Sequence, residues 1–222
     1  TITVNPVPVI PNQTAEICSE ETFTVNPTNN PPTTIVPANT TYTWTVVDNT
    51  NVTGEADESV SQSTISQTLT NTSNSVQFVE YTVIPTSGAD GLCEGTPFTL
   101  TVQVDPKPSL DDVVLAAICS GETFNHLPVE AGGINGTDIV PTGTTYTWTV
   151  VDTNGLVTGD SNETTAQTSI SQTLTNTSNV PQTVVYTVTP TSGDQGNCVG
   201  ETFTITITVN PVPVIPNQTA EI

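Results

Sequence analysis

The sequence predicts an all-β protein made of two similar β-sandwich modules in tandem. Three observations carry this. First, apolar residues alternate with threonine: Phe98, Leu100, Val102 and Val104 are separated by Thr99, Thr101 and Gln103, and Phe203, Ile205, Ile207 and Val209 by Thr204, Thr206 and Thr208. A period of two puts apolar side chains on one face of a strand and threonine on the other, as in a half-buried sheet. Second, the chain repeats itself. Ile17-Cys18-Ser19 recurs as Ile118-Cys119-Ser120, Thr41 to Asp48 recurs as Thr145 to Asp152, and the ten letters ISQTLTNTSN stand at Ile65–Asn74 and at Ile170–Asn179. Third, no stretch shows the helical period.

For the first module the expected strands are Val9–Ile17, Glu21–Val25, Thr40–Val47, Val60–Leu69, Val76–Ile84 and Phe98–Val104, separated by clusters of Pro, Gly and Asn. Between the modules the offset grows from 101 (Cys18 to Cys119) to 104 (Trp44 to Trp148) and 105 (Val52 to Val157), so module two carries small insertions, expected in loops. A Trp on the third strand and a Tyr on the penultimate one, in a unit of about 100 residues, match an immunoglobulin-like sandwich. Tyr42, Trp44 and Val46 share one strand face, as do Val79, Tyr81 and Val83. Core packing is therefore the expectation for Tyr42, Trp44 and Tyr81 and for their equivalents Tyr146, Trp148 and Tyr186. Phe78 is the one aromatic expected outside, and its equivalent is Thr183.

Charge narrows the function. Against 22 Asp and Glu there is one Lys and no Arg, a formal charge of -21 over 222 residues. Such a surface repels nucleic acid and anionic lipid, so neither is an expected partner. The longest apolar run, Val113 to Ile118, is far short of the roughly 20 residues that cross a bilayer. No membrane insertion is expected of this segment. Thr1 is not an initiator residue, so the sequence is read as a piece of a longer chain.

The strand TYTWTVVD, the stretches YTVIPTSG and YTVTPTSG, and the pair ICSEETF and ICSGETF resemble the PKD-like modules repeated in tandem in giant cell-surface adhesins of gliding Bacteroidetes, the kind of flavobacterial gliding-motility adhesin that the type IX secretion system exports. The resemblance covers both modules. One departure is the missing WDFGDG-type turn, since Trp44 and Trp148 are followed by TVVD. What the resemblance implies is an extracellular, cell-surface filament of end-to-end modules; it transfers no catalytic residue.

The joints are the next feature. Val4-Asn5-Pro6-Val7-Pro8 recurs as Val104-Asp105-Pro106-Lys107-Pro108 and as Val209-Asn210-Pro211-Val212-Pro213. Alternate prolines fix φ and remove backbone donors, which favours an extended, semi-rigid connector. The expected division is 1–8 for the end of a preceding module and its joint, 9–105 for module one, 106–210 for module two, and 211–222 for the start of a further copy. The opening seventeen letters, Thr1 to Ile17, return unchanged as Thr206 to Ile222. One joint seen twice explains this; donor-strand exchange between separate subunits could also use matching ends, but a continuous array needs no extra assumption. The single cation, Lys107, lies in a joint, which leaves no lysine for the core isopeptide bonds that stiffen some Gram-positive adhesins.

Four cysteines, two per module, read as disulfides. Their pairing stays open between Cys18–Cys93 with Cys119–Cys198 inside modules, and Cys18–Cys198 between modules with Cys93 and Cys119 turned to modules outside this segment. The second is preferred. Cys18 ends the first strand, whereas Cys93 follows a loop at the opposite end of the sandwich; a strand of about eight residues separates such ends by roughly 25 Å. Bridged Cα atoms lie within about 7 Å.

No catalytic constellation appears, so no enzymatic role and no cofactor are read. His126 is the sole histidine and replaces Val25 of module one, an incidental strand residue. The acid pairs Asp57-Glu58 and Asp111-Asp112 have no equivalents across the repeat and read as solvated. No metal site is expected, since no DxDxDG loop occurs; were calcium to bind at a joint, Asp105, Asp111 and Asp112 would be its ligands. Asn-x-Ser/Thr triplets begin at Asn12, Asn39, Asn71 and Asn176 among others. The reading that emerges is a stiff, disulfide-reinforced shaft whose partners are neighbouring modules of the same chain. The rival is direct binding of glycans or surfaces through loops, with Phe78 and the Gly-rich stretch Ala131–Gly136 as candidates. Since Lys107 is followed by Pro108 and there is no arginine, trypsin is expected to leave the chain intact even in denaturant. A gel after overnight digestion in urea checks this, and any tryptic fragment contradicts it.

Overall fold

The computed structural model describes residues 1–88, 91–133, 136–152, 154–193 and 196–213. Residues 134–135 of the Gly-rich stretch and 214–222 of the closing repeat lie outside it. Among the described residues all regular structure is β, and the chain forms two compact units that divide between Lys107 and Pro108.

Module one contains β1 (Gln13–Cys18), β2 (Glu21–Val25), β3 (Thr41–Val46), β4 (Val52–Thr53), β5 (Glu58–Gln62), β6 (Ile65–Asn71), β7 (Gln77–Thr86) and β8 (Phe98–Asp105). One sheet runs β1-β8-β7-β3-β5 and the other β2-β6-β4. Only β1 and β8 are parallel, with Gln13 opposite Leu100 and Cys18 opposite Asp105. Module two repeats the plan with β9 (Val113–Val114), β10 (Ile118–Cys119), β11 (Glu122–His126), β12 (Thr145–Asp152), β13 (Val157–Thr158), β14 (Glu163–Gln167), β15 (Ile170–Asn176), β16 (Gln182–Thr191) and β17 (Phe203–Asn210). Its sheets run β10-β17-β16-β12-β14, with β9 also on β17, and β11-β15-β13.

Alternation sets which face of each strand is inside. Leu100, Val102 and Val104 on β8 and Val79, Tyr81 and Val83 on β7 are buried against Phe23, Ile65, Leu69 and Val52 of the opposing sheet. Phe124, Ile170, Leu174 and Val157 do the same in module two. Sheet packing of this kind draws its stability from apolar area removed from water. The outward faces carry threonine pairs such as Thr22–Thr68 and Thr123–Thr173, whose hydroxyls are 2.6 Å apart in both modules.

Three expected elements differ from the fold. The run Val60–Leu69 is two strands. β5 edges the larger sheet and β6 is central in the smaller one, so the chain changes sheets at Ser63-Thr64. Val60 stands out of phase with the buried Ile65 and Leu69 of β6 and is 66% exposed on β5. The first strand starts at Gln13 and not at Val9. Val9 instead makes an isolated antiparallel bridge to Ile35, with bonds of 2.9 and 2.7 Å, and Pro11 then has no N–H to continue a ladder. In module two the equivalent strand is broken into β9 and β10. Val113 faces Ile205 as Gln13 faces Leu100, an offset of 100, but Ile118 faces Val209 as Ile17 faces Val104, an offset of 101. The extra residue sits between β9 and β10 as an interruption of the strand, a place where an insertion leaves the rest of the register unchanged.

The buried asparagines that end β6 and β15 are matched. Asn71, at the end of β6, donates from Nδ2 to the carbonyls of Val104 at 2.9 Å and Ser75 at 2.8 Å, while its Oδ1 accepts from Ser73. Asn176 repeats this with Val209 and Val180, both at 2.8 Å. Asn71→Ala removes both donors and strands a carbonyl in the core, which costs about 2 kcal/mol. Denaturant titration of the full chain is expected to show that loss in module one alone, with the module-two transition unmoved as an internal control.

Candidate functional site

Each module is built around one polar hub. Gln67 on β6 accepts from the Tyr81 hydroxyl at 2.8 Å and donates to the Ala56 carbonyl at 2.7 Å, and the Trp44 indole N–H donates to that same carbonyl at 3.1 Å. In module two Gln172 accepts from Tyr186 at 2.9 Å and donates to the Ser161 carbonyl at 2.7 Å, which Trp148 also reaches at 3.1 Å. Strands β3 and β7 belong to one sheet and β6 to the other, so the hub ties both sheets to the segment ahead of β5. Phe23 and Phe124 tilt against Tyr81 and Tyr186 with ring centroids 5.4 and 5.2 Å apart.

All six of the aromatics Tyr42, Trp44, Tyr81, Tyr146, Trp148 and Tyr186 are buried. Burial raises the pKa of Tyr42, and it pushes Tyr146 up to about 12 with help from the charge of Asp138. Tyr81 and Tyr186 are raised further by burial, then by Glu55 and Asp160, so both stay neutral donors to their glutamines. Gln67 and Gln172 were not singled out from sequence. The signal was there: both lie in the ten-letter run that the modules share without a change.

The cysteines sit in matched frames. Cys18 closes β1, and its N–H donates to Glu21 at 3.1 Å; the Cys119 N–H donates to Glu122 at 2.8 Å. Cys93 and Cys198 precede β8 and β17. The Cys93 N–H donates to the Ser87 hydroxyl at 3.1 Å and the Cys198 N–H to Ser192 at 2.8 Å, and each cysteine carbonyl accepts from the serine N–H at 2.9 Å. Cys18 and Cys198 are each oxidised to a disulfide, whereas Cys93 and Cys119 carry free thiols. Cys18 and Cys93 lie beyond opposite ends of β8, which agrees with their not being joined.

Two of the joints dock through their second prolines, Pro8 and Pro108. The Pro8 carbonyl lies over Gly95 and the Pro108 carbonyl over Gly200, too close for any Cβ at either glycine. Pro106 and Pro108 are buried and Pro211 half-buried, while Pro6 and Pro213 are exposed. Lys107 forms a 2.7 Å ion pair with Glu20, in the turn that follows Cys18.

The candidate acids are engaged separately. Asp105 is buried and accepts from Gln103 at 2.9 Å; Asp112 accepts from the Thr204 N–H at 2.6 Å; the Asp111 N–H donates to Asp138 at 2.9 Å. Among the described residues no group of three or more His, Cys, Asp or Glu converges as a metal site. Phe78 is 55% exposed, beside a shallow depression lined by Thr14, Glu16, Thr101 and Gln103. Asn71 and Asn176 are buried with Nδ2 committed to main-chain carbonyls, so neither triplet offers a glycan its attachment atom.

A family model described as PKD-like domain matches residues 15–108 and again residues 116–213. No curated protein matches the chain. Solved structures similar to it include mouse cadherin-23 EC22-24, with 12% identity, a TM-score of 0.38, and coverage of 95% of this chain and 68% of that one. Chicken CNTN1 FN1-FN3 has 12% identity and a TM-score of 0.36 over 93% and 68% of the two chains. The Clostridium thermocellum CbhA fibronectin(III)-like modules have 8% identity and a TM-score of 0.27 over 96% of each.

His126, on β11 opposite Ile170, is half-buried. Burial lowers its pKa below the ordinary 6.5, and the carboxylate of Asp138 opposes the shift without reversing it. The unfolded chain therefore takes up the proton first. Stability is unaffected well above pH 6.5 and falls as the pH drops below it toward the folded value. The single histidine signal in an NMR titration is expected to titrate below 6.5, and His126→Val, the residue of module one, should flatten the pH dependence of module two.

Proposed function

We propose, on the premise that this chain belongs to the PKD-like domain family, that it is a stretch of the stiff shaft of a long extracellular adhesin. The observation that carries this reading is the parallel pairing of the first and last strand of each module. β1 enters beside the start of β8 and both run the same way, so tension at the two ends of the module pulls them in opposite directions along their axes. With the cysteines reduced every ladder bond is then loaded in shear together, not peeled one at a time, whereas a bond from Cys18 to Cys198 carries the tension past the ladder. The interruption between β9 and β10 leaves module two with fewer paired residues on β17 than β1 has on β8.

The proline joints, the acidic surface and the oxidised cysteines support the same reading. A shaft must resist bending, sideways aggregation and extension; alternate prolines, like charge and cross-links oppose these in turn. In this reading Cys18 bonds Cys198, which the oxidation of those two cysteines and the free thiols of the other two support. Such a bond encloses the chain from 18 to 198, a loop 180 residues long. The resemblance to adhesins of gliding Bacteroidetes favours surface adhesion or gliding, with export by the type IX system, as the setting. The exposed Phe78 supports a second reading, in which module one stacks a sugar ring against that side chain; glycan-array binding lost in Phe78→Ala would favour it.

Single-molecule pulling between the chain ends tests the shaft. In the oxidised chain the loop from 18 to 198 is expected to stay closed. Reduction should then release roughly 600 Å of additional contour at about 3.4 Å per residue. Equal release before and after reduction would remove the cross-link and with it the inextensible shaft.

A further inference from the structure

The two free thiols occupy the places of the two oxidised ones. Cys93 is the module-one equivalent of Cys198, and Cys119 the module-two equivalent of Cys18. Both members of each pair share a hydrogen-bond frame: serine hydroxyl to cysteine N–H and serine N–H to cysteine carbonyl in the loop pair, glutamate to cysteine N–H in the strand-end pair. Cys119 is exposed and Cys93 partly so. The same local structure is thus bonded once and free once for each of two distinct cysteine types.

We infer that Cys93 and Cys119 are modification sites that bond to each other between copies, so that the chain is a self-complementary unit of a directional disulfide ladder. The partner is a second PKD-like module of this same kind. The strand-end cysteine of one module takes the loop cysteine of another, never its own type. This rests on the shaft reading and names its covalent partner. Chemically, two thiols lose two protons and two electrons to oxidised glutathione, forming one protein disulfide and leaving two molecules of glutathione. The reaction passes through a mixed disulfide attacked by the second thiolate. With a formal charge of -21 on each copy, encounter is opposed by like-charge repulsion, which salt screens. The ladder therefore forms faster at high ionic strength.

The pairing rule makes a sharp experiment. Wild-type chain in oxidised glutathione at pH 8 and high salt should give dimers, trimers and higher species on a non-reducing gel, collapsing to monomer with reductant. Cys93→Ser alone and Cys119→Ser alone should each stay monomeric. Their one-to-one mixture should give dimer and nothing larger, at least tenfold above either variant by itself. Glu-specific digestion should recover a Cys93–Cys119 peptide from that dimer. Dimer in a single variant equal to that in the mixture, or no covalent dimer in any sample, overturns the inference. The same digest reports Cys18 and Cys198: their bond intact without a ladder defeats the ladder alone, whereas their bonding elsewhere defeats the shaft reading itself.

Discussion

Each sandwich depends on a glutamine that no apolar argument would place there. Gln67 and Gln172 sit between the sheets with both ends of the amide used, one toward a tyrosine hydroxyl and one toward a carbonyl that a tryptophan also reaches. Both glutamines are half-buried, and each bond of the hub holds its partners in place for the others. That requirement couples β3, β6, β7 and the approach to β5 in one arrangement. The hub and its tilted Phe–Tyr contact join the two sheets of each module.

Because the core is closed by this hub and by apolar packing, the cysteines are released for other work. They lie at the ends of strands, outside the aromatic core, in turns held by serine and glutamate. Those turns carry the residues where the modules differ in redox state. The carbonyls of Pro8 and Pro108 pack on the glycines two residues after the loop cysteines, so these two joints and their loops are each one structural piece. A side chain at Gly95 or Gly200 would push them apart.

The surface shows a matching economy. Threonine on the outer faces keeps β-propensity high while presenting hydroxyls that pair across strands. Scattered carboxylates with a single lysine make any two copies repel one another, which protects long, regular sheets from edge-to-edge association. That lysine is held by Glu20, next to an oxidised cysteine.

By itself the sequence determined the fold class, the duplication and the inward face of nearly every strand. Alternation records burial directly, and comparison of the two halves records where length can vary. It did not determine that the run through Val60 changes sheets, that one inserted residue interrupts the first strand of module two, or that the buried Asn71 and the half-buried Gln67 are hydrogen-bonding hubs. Nor did it decide which two cysteines are oxidised. The reason is common to all four. A period of two reports which side of a strand is dry, but strand partners, sheet membership and the acceptor waiting opposite a polar side chain lie tens of residues away, and only the closed sandwich brings them together.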